Sequence, residues 1–407
     1  MQTPVLAGRR IIELGTMLAA PFATHILSQL GAEVIKIEPP TGDSTRSLVR
    51  GGPSGTFIAY NHGKKSVCID VSKPEGFAAL CKLLQTADAI VHNLSPKAAR
   101  KLKLTRADCE KINPKLIYCQ IRGYGPGPQE DDLASNPVAE AATGVMEGNR
   151  VNGRPSRLGP SYHDQFAGAY AVIGVLVSMM QIEKGAPPQP VEIGLYETGL
   201  HVASRDLVGV QLKTQLLGRA EREPHGEFSM PGYGAYRTSD DRWIYLLMLT
   251  DAHWTKFCQA MSLSANAAYA TLRQRKKARE EVEESVRNAI GAYTFDQVVA
   301  RFKEVGMGFT EVLPLERVLA APQARFGGKL RHLQFRGYDF DVPEFPRLNP
   351  GEDGVETMPP ATLGEHTAQL LKAAGVSQAE YEEMLKAGAV AEAESDPCQW
   401  APVRKEA

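Results

Sequence analysis

Asp164 stands just ahead of the most apolar run in the chain, Ala167 to Met180, and directly after the loop Arg157-Leu-Gly-Pro-Ser-Tyr-His163. Two kinds of chemistry suit a carboxylate there. It can cap a helix by accepting hydrogen bonds from the orphan N–H groups of the first turn, a contribution of about 0.5–2 kcal/mol. It can instead attack an activated carbonyl, with the backbone N–H groups near Gln165 to Gly168 and the helix dipole supporting the oxyanion that forms. The small residues Ala167, Gly168 and Ala169 would let another element or a ligand approach the helix start closely. Spacing alone leaves both roles open.

Other chemistries find less in the sequence. There is no G-x-S-x-G elbow for a serine hydrolase and no P-loop for the phosphates of ATP. The loop Gly123-Tyr-Gly-Pro-Gly-Pro128 follows a strand-like run, but Pro126 and Pro128 remove N–H donors that a dinucleotide pyrophosphate would need. The six cysteines, Cys68, Cys81, Cys109, Cys119, Cys258 and Cys398, include no C-x-x-C pair, and the nine histidines are dispersed. Neither a zinc site nor a disulfide framework is expected. His163 and Asp164 are adjacent, which aims their side chains in different directions rather than at one ion.

Alternating elements must position Asp164. Arg10 to Leu14, Glu33 to Ile37, Ser66 to Val71, Ala89 to Val91 and Lys115 to Ile121 read as strands. Between them, Ala20 to Leu30 carries a helical stripe, and Pro74 with Glu75 marks the first turn of another helix. Strands alternating with crossover helices predict an α/β fold with a parallel, doubly wound sheet. Long helices are expected at about Gln165 to Lys184 and Glu197 to Leu217, with a strand at Pro190 to Ile193 between them. Beyond Arg219 the pattern changes to antiparallel strands at Gly232 to Arg237 and Trp243 to Leu249, followed by helices. The expected division is residues 1–218 in a large first unit, 219–341 in a smaller α+β unit, and 342–407 as a Pro-rich linker and helical region returning to the first.

Length and charge bound the function. A chain of 407 residues exceeds one hydrophobic core and predicts two domains. With 46 basic against 47 acidic residues, the net charge of −1 argues against a nucleic-acid or membrane-surface binder, so any anion must be gripped locally. Arg273 to Arg287 places basic residues first and acidic ones later, the pattern of a solvated helix. The N-terminus lacks a signal-peptide layout, and the apolar run Ala167 to Met180 is shorter than the roughly 20 residues that span a bilayer, so a soluble, cytoplasmic protein is expected.

Several strings stand in order along the chain: Leu6-Ala-Gly-Arg-Arg-Ile-Ile-Glu-Leu14, Ala20-Pro-Phe-Ala-Thr24, Leu30 to Pro39 with Gly42-Asp-Ser-Thr-Arg46, Asn61-His-Gly-Lys-Lys-Ser66, Ala87 to Asn93, Asn113 to Cys119, Gly123-Tyr-Gly125 and Leu363-Gly-Glu-His-Thr367. Together they resemble the family III CoA-transferases, the CaiB/BaiF type that includes formyl-CoA transferase and carnitine CoA-transferase, with the α-methylacyl-CoA racemases as relatives. The resemblance implies a Rossmann-like large domain without dinucleotide, built from both chain ends, a small α+β domain, and a dimer of interlocked chains. It implies acyl-CoA and small carboxylic acids as substrates, no permanently bound cofactor, and Asp164 as the covalent nucleophile. Positions matching the family's CoA contacts are Met17, Leu18, Ala19, Ile69, Asn93, Leu94, Lys101 and Leu102, and Arg46 and Lys64 are expected as further phosphate partners.

The departures bear on substrate. Where many of these transferases carry a Gly-rich lid, this chain reads His225-Gly-Glu-Phe-Ser-Met-Pro-Gly232, and Leu18 replaces a common polar residue. At the places of the racemases' His-Asp pair stand Ser135 and Asn136, neither able to abstract an α-proton, so racemisation is not expected. Asn136-Pro137 is nearer to relatives that move CoA within one dicarboxylate, which keeps intramolecular transfer as the alternative to transfer between two acids. A partner subunit of a heteromeric transferase is a third reading.

Overall fold

The computed structural model describes residues 3–49, 53–218, 230–264, 267–346 and 354–392. Strands β1 (Arg10–Leu14), β2 (Glu33–Glu38), β3 (Lys65–Ile69), β4 (Ala89–His92) and β5 (Ile117–Arg122) alternate with helices α1 (Ala19–Gln29), α2 (Gly55–Asn61), α3 (Pro74–Leu84), α4 (Pro96–Lys101) and α5 (Arg106–Ile112). Helices α6 (Asn136–Ala142) and α7 (Val145–Gly148) and the short strands β6 (Arg150–Val151) and β7 (Arg154–Pro155) come before the long helix α8 (Tyr162–Glu183). Strand β8 (Val191–Gly194) and helices α9 (Leu195–Val202) and α10 (Ser204–Leu217) follow. Helix starts carry their signals: Ser54 and Ser95 accept from the N–H groups of Phe57 and Ala98, Pro74 opens α3, and Thr105 and Asp108 cap α5 reciprocally.

Six strands pair in parallel in the order β3-β2-β1-β4-β5-β8, and Val390–Ala391 adds an antiparallel edge beside β3. Side chains alternate across the sheet. Ile12, Ile35, Ile37, Val67 and Ile90 point into one core with Leu80, Leu83 and Leu84 of α3 and with Leu370 and Leu371 from the C-terminal region. Ile11, Val34, Val91, Ile117 and Cys119 point into the other, against α1 and the stripe Ala167, Ala171, Val175 and Met179 of α8. Strands buried on both faces suit β-branched residues, and each fully buried aliphatic side chain contributes about 1.5–3 kcal/mol.

On the α1 side, three acids and three bases replace apolar packing. Glu13 accepts from Lys36 at 2.7 Å, Lys64 at 2.8 Å and Thr24 at 2.6 Å. Lys36 also meets Asp43 at 2.8 Å, while Arg46 holds Glu38 through Nε and Nη2, both at 2.7 Å. All six side chains are buried. Burial alone would raise the carboxyls of Glu13, Glu38 and Asp43, but the facing cations bring each below the usual range. Burial likewise opposes charge on Lys36, yet its three carboxylate neighbours raise it, whereas burial pushes Lys64 down to about 8.

The chain groups into two compact units, one of residues 1–147, 155–208 and 325–407, the other of 148–154 and 209–324. The changes near 209 and 325 fall earlier than the expected 219 and 342. The antiparallel pair Leu330–Phe335 and Tyr338–Pro343 accounts for the second shift, because Leu333 and Val342 pack on Ile58, and Phe335 on Phe57, both from α2. In the smaller unit, strands Ala235–Arg237, Trp243–Leu246 and Phe309–Glu311 form an antiparallel sheet, packed by Phe257, Val282, Val286, Ile290 and Phe302. The expected solvated helix at Arg273 to Arg287 is two helices, Leu272–Lys277 and Arg279–Gly291. Its Arg275 is buried, donating to the carbonyls of Tyr269 and Ala270 and to Asp251.

Glu13→Ala leaves two buried ammonium groups short of their shared counter-ion. A loss of about 3–5 kcal/mol is expected, read as a lower urea midpoint at unchanged slope.

Candidate active site

A cavity of about 420 Å³ opens outside the carboxyl ends of β1, β4 and β5. The strand order reverses between β1 and β4, the place where open parallel sheets bind ligands. Met17, Leu18 and Ala19 supply one wall, Asn93 follows β4, Ile121 to Gly123 end β5, and Ala134 to Pro137 lead into α6. Arg157, Ser161 and Asp164 complete it at the start of α8 with Leu195.

Asp164 is the third residue of α8, and Ser161 takes the cap position without a side-chain cap bond. The expected helix start, near Gln165, therefore moves back one turn, and the capping role of Asp164 is corrected. Asn136 caps the helix from outside: its Oδ1 accepts from the N–H groups of His163 at 2.9 Å and Asp164 at 3.3 Å, while its Nδ2 donates to the buried Glu140. The N–H of Tyr162 donates to Pro160 and that of Gln165 to Ser161, so the first turn is already satisfied. The oxyanion site expected at Gln165 to Gly168 is corrected for the same reason, because those N–H groups lie inside the helical ladder.

The Asp164 carboxylate itself accepts no hydrogen bond from the described residues. Burial pushes its pKa up to about 6, with Arg157 pulling it down and Glu140 pushing it further up. The neighbouring His163 is fully buried against Thr143, at 3.4 Å from its Oγ1, so the two adjacent side chains do diverge. The small residues after Asp164 admit a protein element: a Cβ on Gly168 would meet the Ala19 carbonyl oxygen at 2.8 Å and Phe22 at 2.9 Å. Thus α1 and α8 cross closely, and Asp164 is carried to the loop that precedes α1.

That loop is held under strain. Met17 has φ 63°, a left-handed conformation that methionine rarely adopts, and its side chain is exposed. Asn93 grips the preceding residue by both backbone groups, accepting from Thr16 N–H at 3.1 Å and donating to its carbonyl at 2.8 Å. The Thr16 hydroxyl donates to Asp43, tying the loop to the buried ion cluster.

Among the expected CoA contacts, Met17, Leu18, Ala19 and Asn93 line the cavity. Leu94 and Leu102 pack against the core instead, and Lys101 is exposed at the end of α4. Ile69 is buried in that core and paired with Val390, which corrects its assignment. Arg46 and Lys64 are corrected too: both cations are buried in the ion cluster and directed at Glu38 and Glu13, not at solvent-borne phosphates. In the Gly-rich loop the Gly125 N–H is taken, donating to both carboxylate oxygens of Glu197. Two cavity residues were missed in the sequence, Arg122 and Arg157. Arg157 lies in the loop quoted there, whereas nothing in the local pattern distinguishes Arg122 from a strand-end cation. The lid stretch at 225–229, with Phe228, lies outside the described residues, and no group of three or more metal-binding side chains occurs among those described.

The model of "CoA-transferase family III" matches residues 6–367. The chain belongs to CoA-transferase family III. It is similar to the succinyl-CoA–D-citramalate CoA-transferase of Chloroflexus aurantiacus, 29% identical over 89% of this chain and 92% of the relative. It also resembles the succinyl-CoA–L-malate CoA-transferase beta subunit of the same organism, 29% identical over 90% and 93%. A crystal structure of a CaiB/BaiF family protein from Brucella suis shares the fold, with a TM-score of 0.81 at 23% identity over 92% of this chain and all of that one. Family III membership makes the protein an acyl-CoA:carboxylate CoA-transferase whose substrates are CoA thioesters.

Two measurements check this geometry. Asn136→Ala removes the outside cap and is expected to cost about 0.5–2 kcal/mol in denaturant unfolding. Arg157→Gln removes the cation that favours the ionised carboxylate, so the Asp164 midpoint rises above about 6, followed by carboxyl-selective NMR labelling.

Proposed function

We propose that this family III enzyme moves CoA from an acyl-CoA donor to a second, small di- or hydroxycarboxylic acid through covalent intermediates on Asp164. The Asp164 carboxylate attacks the thioester carbonyl, the C–S bond breaks, and a mixed anhydride and the CoA thiolate result. The thiolate attacks the aspartyl carbonyl, which forms an aspartyl-CoA thioester and expels the donor acid as its carboxylate. The acceptor carboxylate then displaces the thiolate, and the thiolate attacks the acceptor's carbonyl of the new anhydride, freeing Asp164. Each acyl bond is exchanged for another of similar energy, so the sequence balances without ATP.

The supporting observation is the setting of Asp164, in the cavity, without a protein hydrogen-bond donor and with its pKa near 6. Such a carboxylate is ionised at neutral pH and poorly stabilised, which favours attack. The citramalate- and malate-acting relatives support the acid class. Asn136 is accounted for as the cap of α8, so its presence carries no separate argument for transfer within one molecule.

A dimer of two copies is part of the proposal. Phe166, Ile173, Val177 and Met180 lie exposed along α8, as do Leu207 and Val208 on α10, apolar side chains that a second copy would cover. By length and composition α8 could also cross a membrane, being 22 residues rather than the shorter apolar run, but its stripe from Ala167 to Met179 is built into the sheet core. The malate-acting relative, named as a subunit, favours one further reading, in which activity requires a related second chain.

Incubation with an acyl-CoA donor should leave a CoA-mass adduct on the peptide containing Asp164, and Asp164→Ala should lose at least about a thousandfold in turnover. Full activity in that variant would refute the nucleophile. Because the attacking form is the carboxylate, kcat/KM should fall about tenfold per pH unit below about 6. The purified chain should sediment at twice the mass of one chain and transfer CoA alone. Activity only after adding a related chain would favour the subunit reading.

A further inference from the structure

Arg122 closes β5 and lines the cavity with its side chain nine-tenths buried, 9% exposed. A buried guanidinium normally spends its donors on carboxylates or carbonyls, as Arg46 and Arg275 do on Glu38 and Asp251. Arg122 does not. Its side chain makes no hydrogen bond among the described residues: Nε is buried without a partner, as Arg275 Nε also is, and Nη2 stands at ion-pair range, 3.9 Å, from both Glu130 and Glu192. A guanidinium beside a cavity, with its Nε–H left without an acceptor, is suited to a planar anion.

The charges of the cavity point the same way. Its ionisable lining is Arg122, Arg157 and Asp164. When Asp164 is acylated in the proposed cycle its negative charge disappears, while the Arg122 and Arg157 cations stay on the wall. An acid with one carboxylate neutralises a single cation, and that carboxylate is consumed in the reaction. A second carboxylate on the same molecule remains ionised throughout and can stay on its guanidinium while the first reacts.

We propose that Arg122 is the specificity-determining residue that receives the second, unreacting carboxylate of a short dicarboxylic substrate. This rests on the CoA-transfer reading, and the test separates the two. The enzyme is given succinyl-CoA together with equal amounts of glutarate and pentanoate, which differ by a carboxylate in place of a methyl group, and the ratio of the two new CoA esters is read by mass spectrometry. Both acids compete for the same enzyme form, so the ratio is independent of how much variant protein folds. The wild-type ratio is expected to favour glutarate by about a hundredfold, consistent with one charged hydrogen-bonded pair. Arg122→Gln should lower it by at least about tenfold, and Arg122→Lys should fall between. A wild-type ratio near one, or an Arg122→Gln ratio within threefold of wild type, overturns the assignment while transfer itself stands. Formation of neither ester by the wild type overturns the transfer reading for these acids and the assignment with it.

Discussion

The six-charge cluster around Glu13 and Lys36 is the constraint on which the first unit depends. It sits on the sheet face that α1 covers, and its members come from β1, β2 and the segments after β2 and before β3. Three carboxylates meet three cations, so burial costs no net charge, but each member is bound to the others' presence. The cluster also fastens what surrounds it. Lys36 donates to the Gly15 carbonyl, Lys64 to that of Pro21, and Arg46 to that of Ala361 far along the chain. Such bonds fix the strand-to-helix turn at Thr16 to Leu18 in one geometry, where apolar side chains would fill space without specifying direction.

Much of the fold was legible because it follows period-two and helical patterns. The strands at Arg10, Glu33, Ser66, Ala89 and Lys115 were readable because apolar alternation and turn residues agree there. The segment 325–341 was misassigned because its attachment runs through Phe335 and Leu333 to α2, contacts between residues almost three hundred positions apart that no local pattern records. Arg275 was read as solvated for a similar reason: its charge is plain in the sequence, but the carbonyls that receive it are not.

The site shows the same division. Asp164 stood out by its place before an apolar run, and Met17 to Ala19 by family likeness, and the cavity brings these together with Asn93. Arg46 and Lys64 were misjudged because a cation's sequence neighbours say little about whether a buried acid claims it. Glu13 and Glu38, the acids that do, lie in strands whose apolar residues flank them, and nothing in those strings says which distant cation they meet. Arg122 was invisible for the opposite reason, since its interest lies in bonds it does not make.

Asn136 sets the start of α8 from 27 residues away, by accepting the N–H groups of His163 and Asp164 itself. The stretch between them, from Gly144 to Gly159, therefore need not set the position of Asp164. It can be lengthened, shortened or reshaped while the backbone of Asp164 stays registered to α6. A protein built this way can trial new cavity-lining loops, Arg157 among their residues, without rebuilding the helix start that carries Asp164.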